Sequence, residues 1–188
     1  MSKRTTYHHG DLRPALLRAS LALVEEGGIA ALSLREVARK AGVSHNAPYH
    51  HFADRRGLLK VLAEQSMADL LASVRRAVED APDPRAALIS GGGAYIRFAV
   101  DHPNGFDVIY DPTVCIPGEP TETMAPLIAE LEAVLAGASI AAGLDHEIDA
   151  LGVWGLVHGL GTLCAVGHFP LGAALAGCAS AIERMLPA

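Results

Sequence analysis

Residues 33 to 52, Ser-Leu-Arg-Glu-Val-Ala-Arg-Lys-Ala-Gly-Val-Ser-His-Asn-Ala-Pro-Tyr-His-His-Phe, gather hydrogen-bonding side chains around a glycine turn. The amide of Asn46 has the geometry to pair with N7 and N6 of adenine, His45 can exchange a hydrogen bond with guanine, and the Ala47 methyl suits thymine. Tyr49 and His50 follow at a place where a phenol or imidazole reaches a phosphate oxygen more naturally than a base edge. Two short elements must position these groups. Ser33 and Glu36 have the spacing of a capping box, which starts a helix by satisfying backbone donors reciprocally. That helix is predicted to run to Ala41, with Gly42 ending it in a left-handed conformation, Val43 packing into the angle and Ser44 capping the next helix. Ala38 is small enough for the second helix to cross closely over the first. The pattern is a helix-turn-helix, whose second helix lies in the major groove.

Metal binding is the alternative use of these histidines, but His50 and His51 are adjacent and diverge on a helix, and no cysteine or acid stands nearby at ligand spacing. No metal or other cofactor is expected.

At these residues the chain resembles the TetR-type bacterial transcriptional regulators. The resemblance covers about 55 residues: Tyr7 to Arg13 leading into a first helix, Gly27 and Gly28, Leu32-Ser33, Ala41 to Ser44, and Tyr49 to Phe52. It implies DNA contacts from Ser33, Arg35, Ser44, His45, Asn46, Ala47, Tyr49 and His50, and a phosphate contact from Arg55, with Asp54 capping the following helix. Pro48 departs from the family, which more often has a branched apolar residue there. Proline removes a backbone donor and disfavours helix at Ala47, so the recognition helix is expected to begin tighter or later. Which of His45, Asn46 and Ala47 meets a base stays open.

Charge divides the chain in two. The net charge of −6 argues against nucleic acid, yet residues 1–60 hold 10 Lys and Arg against 5 Asp and Glu, and residues 61–188 hold 5 against 16. A basic unit attracts phosphate, and the acidic remainder faces away from it. Lys3 and Arg4 form a short arm that either hangs free or adds a DNA contact. The expected division is therefore a DNA-binding domain over 1–54 and a ligand-binding and dimerisation domain over 55–188.

The fold class is all-α, with about nine helices, because apolar residues recur at helical spacing, as in Leu12, Ala15, Leu16, Ala19, Ala22 and Leu23, and no alternating pattern has any strength. A connecting helix is predicted from Arg55 to Glu79, closed by the breaker from Asp80 to Pro84. Further helices fall at about 85–100, 104–110, 122–142, 145–167 and 170–186, with a Pro- and Gly-rich loop from Asp111 to Thr121. Ser90 to Gly93 lacks both a preceding strand and a following Lys-Ser or Lys-Thr, so it reads as a kink or close helix crossing rather than a phosphate loop. Hydrophobic residues make up 51% of the chain, enough for one small and one larger core. No secretion signal opens it, and Cys115, Cys164 and Cys178 are odd in number, which predicts a reducing cytoplasm.

From Ala150 to Ile182 no Asp, Glu, Lys or Arg occurs, a length that could span a membrane. Phe169-Pro170 divides the run, His158 and His168 lie within it, and no basic cluster orients it. Two helices buried on every side fit better, one face against their own core and one against a partner subunit. Gly152, Gly155, Gly159, Leu171 and Leu175 are the expected homodimer interface, and Gly161 is a further glycine that lets backbones approach closely. Trp154 to Gly159, together with His102 to Phe106, resembles the carboxy-terminal domain of a TetR subclass named for its Trp-His-Gly motif. The resemblance implies a pocket for a small-molecule effector, with Tyr95, Phe98, Phe106, Tyr110, Trp154 and His158 as candidate lining. Each could equally fill a core. Trp154 and His158 are four apart on one face, so both can reach one space. Cys164 and His168 share that spacing, but two ligands make a weak metal signal.

Catalysis finds no support. Ser139 is not in a nucleophile elbow, no His-Glu-x-x-His occurs, and no carboxylate pair sits among apolar residues. The reading reached is a dimeric, ligand-responsive, non-enzymatic regulator, more often a repressor in this family, that binds an inverted-repeat double-stranded operator. The alternative is a small-molecule-binding or membrane-anchored helical interaction protein.

Overall fold

A computed structural model describes residues 12–116, 118–144 and 147–187. The run from Tyr7 to Asp11 and the arm at Lys3 and Arg4 lie outside them. Every regular element among the described residues is helical: α1 (Leu12–Gly27), α2 (Leu34–Ala41), α3 (Arg55–Glu79), α4 (Pro84–Asp101), α5 (Pro103–Ile109), α6 (Met124–Ala141), α7 (Glu147–Ala165) and α8 (Leu171–Met185), with 3₁₀ turns at Ile29–Ala31 and Ala47–His50. Eight α-helices therefore stand where about nine helices were expected. The difference is the recognition element, a four-residue 3₁₀ turn.

Local chemistry sets the helix ends. Ser33 Oγ accepts from the Glu36 amide at 3.2 Å, but the reciprocal half of the capping box is not made, because Glu36 Oε2 instead accepts from Arg39 Nε at 2.8 Å. Gly42 closes α2 at φ 68° and ψ 31°, and the Val43 amide reaches back to the Ala38 carbonyl at 3.0 Å. Asp54 caps α3 by accepting from the Gly57 amide at 2.7 Å, and Asp83 caps α4 through Ala86 at 2.8 Å.

One continuous core runs from Leu16, Val37 and Phe52 through Leu58, Leu62 and Leu70 of α3 to Ile96, Val157 and Ile182. Helix α4 lies at its centre. A β-carbon added at Gly92 would stand 3.0 Å from Val157 and 3.2 Å from the Cys178 sulfur, and one at Gly161 would stand 3.1 Å from the Ala99 β-carbon. The glycine run in α4 is thus a close helix crossing. Gly161 belongs to this same crossing inside the protomer.

Arg55 opens α3 beside the amino-terminal unit, and its guanidinium donates from Nε to the Leu32 carbonyl at 2.9 Å and from Nη2 to the Ile29 carbonyl at 2.7 Å. A phosphate anchor was expected here. Two of its nitrogens hold the 3₁₀ turn before α2 in place, a structural task beside the expected phosphate contact. Arg55→Ala should lower stability by about 1 to 2 kcal/mol in urea unfolding, since charged donors to backbone carbonyls are lost and the outer one is partly solvated. An unchanged midpoint would show that these two bonds do not hold the fold.

The apolar stretch from Ala150 to Ile182 is broken between α7 and α8 by the turn at 166–170. Among the described residues the helix long and apolar enough to cross a membrane by length and composition is α6, with mean hydropathy 1.5 and 28% of its residues buried. That test is also met by core helices, and α6 packs on α3, α4 and α7.

Candidate functional site

The residues around the 3₁₀ turn form an exposed edge. Arg35 on α2, then Ser44, His45, Asn46, Tyr49 and His50, all face solvent, with Tyr49 57% exposed, while Ala47 is half-buried and Pro48 is buried. Proline explains the tight winding. It has no amide to give an α-helical first turn, and the bonds that form instead are Tyr49 N–H to the Asn46 carbonyl at 3.2 Å and His51 N–H to the Pro48 carbonyl at 2.9 Å. Its ring takes an interior position, the place of the family's branched apolar residue. Ser44 does not cap the element; its carbonyl accepts from the Ala47 amide at 3.0 Å, and Asn46 occupies the capping position without a side-chain bond.

With three residues per turn, Asn46 and Tyr49 eclipse one another along one edge, so an amide and a phenol are presented together. The basic groups around them differ in availability. Lys40 is held by Glu26 at 2.7 Å and Arg39 by Glu36 at 2.6 Å, whereas Arg35 takes part in no ion pair among the described residues. Ser33 Oγ is engaged as the α2 cap. The arrangement can donate and accept hydrogen bonds at a groove and offers cationic charge beside it.

Behind this unit, five of the six expected lining residues converge. Tyr95 of α4, Phe106 of α5, Tyr110 just after it, and Trp154 and His158 of α7 stack with ring centroids 4.7 to 6.2 Å apart. The Tyr95 hydroxyl stands 2.6 Å from that of Tyr110 and 3.0 Å from His158 Nδ1, a chain of three polar groups inside an aromatic shell. Burial pushes both phenols above their ordinary titration range and pushes the His158 imidazole below its own. The imidazole is therefore neutral at pH 7. The rings fill the space with one another. Phe98 is the exception, packing on His102 at 5.0 Å and lining a separate cleft.

Of the expected subunit surface, Gly155 and Gly159 have no atom within 4 Å of where a β-carbon would lie, while Gly152 is 3.6 Å from Met185 of its own protomer. Leu171 and Leu175 are half-buried against the protomer's own core. Around the two open glycines, Leu151, Trp154, Leu163, Val166 and Phe169 are exposed. Cys164 donates to the Phe169 carbonyl at 3.3 Å, and no group of three metal-ligating side chains occurs among the described residues.

Sequence reading missed two features. Arg56 donates to the Thr113 carbonyl at 2.8 Å, tying the start of α3 to the loop after α5, and three carboxylates line the cleft beside Phe98. Both join residues far apart in the chain, and no local pattern marks them.

Comparison with known proteins agrees with this architecture. Residues 16–62 match the family described as bacterial regulatory proteins, tetR family, and residues 88–187 match the one described as tetracyclin repressor-like, C-terminal domain. A protein of unknown function from Rhodococcus sp. RHA1 has a similar structure, with TM-score 0.81 and 32% identity over 97% of this chain and 99% of that one. A putative TetR-family transcriptional regulator from Rhodococcus sp. shares the fold at TM-score 0.71 and 23% identity, over 95% of this chain and 100% of that one. The HTH-type transcriptional regulator BetI 2 of Chromohalobacter salexigens is 38% identical over 85 residues, which are 42% of this chain, and the chain covers only 41% of that relative's own length. With both of its parts matched and the helix-turn-helix in place, the chain belongs to the tetR family of bacterial regulatory proteins.

Proposed function

We propose that the protein is a homodimeric DNA-binding transcriptional regulator, a repressor that leaves an inverted-repeat operator when a small molecule binds. The observation that carries this reading is the exposed edge of Arg35, His45, Asn46, Tyr49 and His50 on a tightly wound, Pro48-anchored turn. The surface around Gly155 and Gly159 supplies a face on which a second copy fits, and a two-fold pair presents two recognition edges to half-sites about 34 to 36 Å apart or a multiple of that. Helix α3 links the two activities: Arg55 at its start holds the DNA-reading unit, and Arg56 beside it holds the loop from the larger part. A regulatory protein that acts by occupying DNA needs no turnover, and its work belongs in the cytoplasm.

Gel-shift titration of point variants tests the reading. Tyr49→Ala should weaken binding to all duplexes alike, whereas Asn46→Ala should lose about 1 to 3 kcal/mol on the preferred site only. Equal losses on preferred and random duplexes would remove Asn46 from base reading. Failure of the parent chain to bind any duplex would overturn the function itself.

A further inference from the structure

Between the amino-terminal unit and the larger part lies an open cleft of about 550 Å³ bounded by α1, α3, α4 and α5. Its lining has two chemistries. Leu21 and Val24 of α1 and Phe98 of α4 are apolar, and Glu25 of α1, Asp69 of α3 and Asp101 of α4 bring three exposed carboxylates to it. No Lys or Arg lines it. The carboxylates do not converge on a point, since no cluster able to hold one metal ion occurs among the described residues.

Ser66 is a second, independent sign of a ligand. It lines the cleft at 5% exposure, and its Oγ is turned toward Gly105, where an added β-carbon would stand 3.2 Å from it. Ser20, equally buried on α1, bonds back to the Leu16 carbonyl at 2.7 Å, but Ser66 Oγ takes no such bond among the described residues. That oxygen is not sealed inside the protein, since the enclosed side-chain oxygen without a partner among the described residues is that of Ser139. The cleft is what lies open to provide a partner here.

A compact metal ion cannot satisfy carboxylates spread around a volume of small-molecule size. A cation with several charges along an apolar chain can. We propose that this cleft binds a linear aliphatic polyamine, with its ammonium groups paired to Glu25, Asp69 and Asp101, its methylenes on Leu21, Val24 and Phe98, and one N–H donated to Ser66 Oγ. The regulatory consequence rests on the function proposed above. The cleft straddles the joint where Asn104 Nδ2 donates to the Glu25 carbonyl at 3.2 Å, so a ligand that draws α1, α3 and α4 together fixes the angle of the DNA-reading unit.

Calorimetry of the full chain with spermidine, without DNA and near 0.15 M salt, tests the site directly. Saturable binding of one spermidine per protomer is expected. Asp69→Asn with Asp101→Asn should weaken it about five- to thirty-fold, as two partly exposed ion pairs are lost. Glu132→Gln with Glu183→Gln makes the same change in net charge at exposed positions outside the cleft lining and should leave binding within about two-fold. Equal weakening by both double variants would overturn the proposal, because it would mean diffuse attraction to an acidic chain. Absence of saturable binding, or one-for-one displacement by magnesium, would overturn it as well. Operator release is then compared between the parent and the Asp69→Asn, Asp101→Asn variant on one duplex, which cancels spermidine's own affinity for DNA. Release lost only in the variant supports the regulatory role, and equal release overturns it. A parent chain that binds no duplex sinks the regulator reading alone, leaving calorimetry to decide the site.

Discussion

Gly155→Leu is expected to leave a folded protomer that no longer pairs. Within one protomer nothing lies within 4 Å of a β-carbon at Gly155, so the new side chain meets no clash in its own chain. Leucine also favours helix over glycine by about 0.8 to 1 kcal/mol, which stabilises α7 itself. Any loss must therefore arise between subunits. Leu151, Trp154, Val166 and Phe169 are exposed at 63%, 39%, 69% and 43%, a density of apolar side chains that water covers poorly. Helices that approach to about 8 to 10 Å through glycine are forced apart by an isobutyl group. An affinity at least about 100-fold weaker, or roughly 2.7 kcal/mol, is expected by sedimentation velocity across a dilution series. Melting should be monitored in parallel. A variant that pairs as tightly as the parent would exclude this face from the interface.

In the proposed dimer the DNA-reading unit acts in pairs, so the same substitution separates assembly from recognition. A monomer retains the edge of Asn46 and Tyr49 but reads one half-site, so operator affinity falls while contact with a single half-site persists.

Helix boundaries were legible in the sequence wherever a side chain acts on its own neighbours. Ser33, Gly42, Asp54 and the breaker from Asp80 to Pro84 each work within a few residues, and the helices they bound lie where the spacing predicts. Pro48 was half legible. Its ring forecasts a tighter start, and the turn is 3₁₀ throughout, but its burial depends on how α1 and α2 pack around it. Partners far along the chain were not legible. Arg55 reaches carbonyls 23 and 26 residues away, so a position that the family resemblance gives to phosphate also holds the fold. Tyr95, Phe106, Tyr110, Trp154 and His158 are candidates for one pocket by residue type, yet helical spacing says which residues share a face and not what stands opposite. It left open whether they line a space or fill it, and it grouped Phe98 with them although Phe98 faces the cleft. The three carboxylates of that cleft come from three helices and carry no local signature.

Tyr95 is the residue whose loss should cost the protomer most. It is fully buried at the meeting of α4, α5 and α7, edge-on to Phe106 at 5.7 Å, and its hydroxyl joins Tyr110 to His158. Tyr95→Ala removes an aromatic side chain from a packed core and should destabilise by about 3 to 5 kcal/mol. Tyr95→Phe keeps the ring and removes the oxygen, leaving the Tyr110 hydroxyl and His158 Nδ1 without their shared partner, for a loss of about 1 to 3 kcal/mol. The histidine adds a pH signature. Burial lowers its pKa in the folded chain below the ordinary 6.5, so the unfolded chain binds a proton that the folded chain refuses. Stability is then complete above about pH 6.5 and falls as pH drops through that value toward the lowered folded pKa. Thermal melting between pH 7.5 and 5.5 should show this fall in the parent and a shallower one in His158→Gln. Tyr95→Phe as stable as the parent, or parallel pH profiles for parent and His158→Gln, would reduce the phenol–imidazole chain to incidental contact. Helix α5, held by these rings, also carries Asn104 against the Glu25 carbonyl of α1. Loosening the rings should therefore loosen the joint to the DNA-reading unit, and Tyr95→Phe should blunt effector-driven release while direct duplex binding persists.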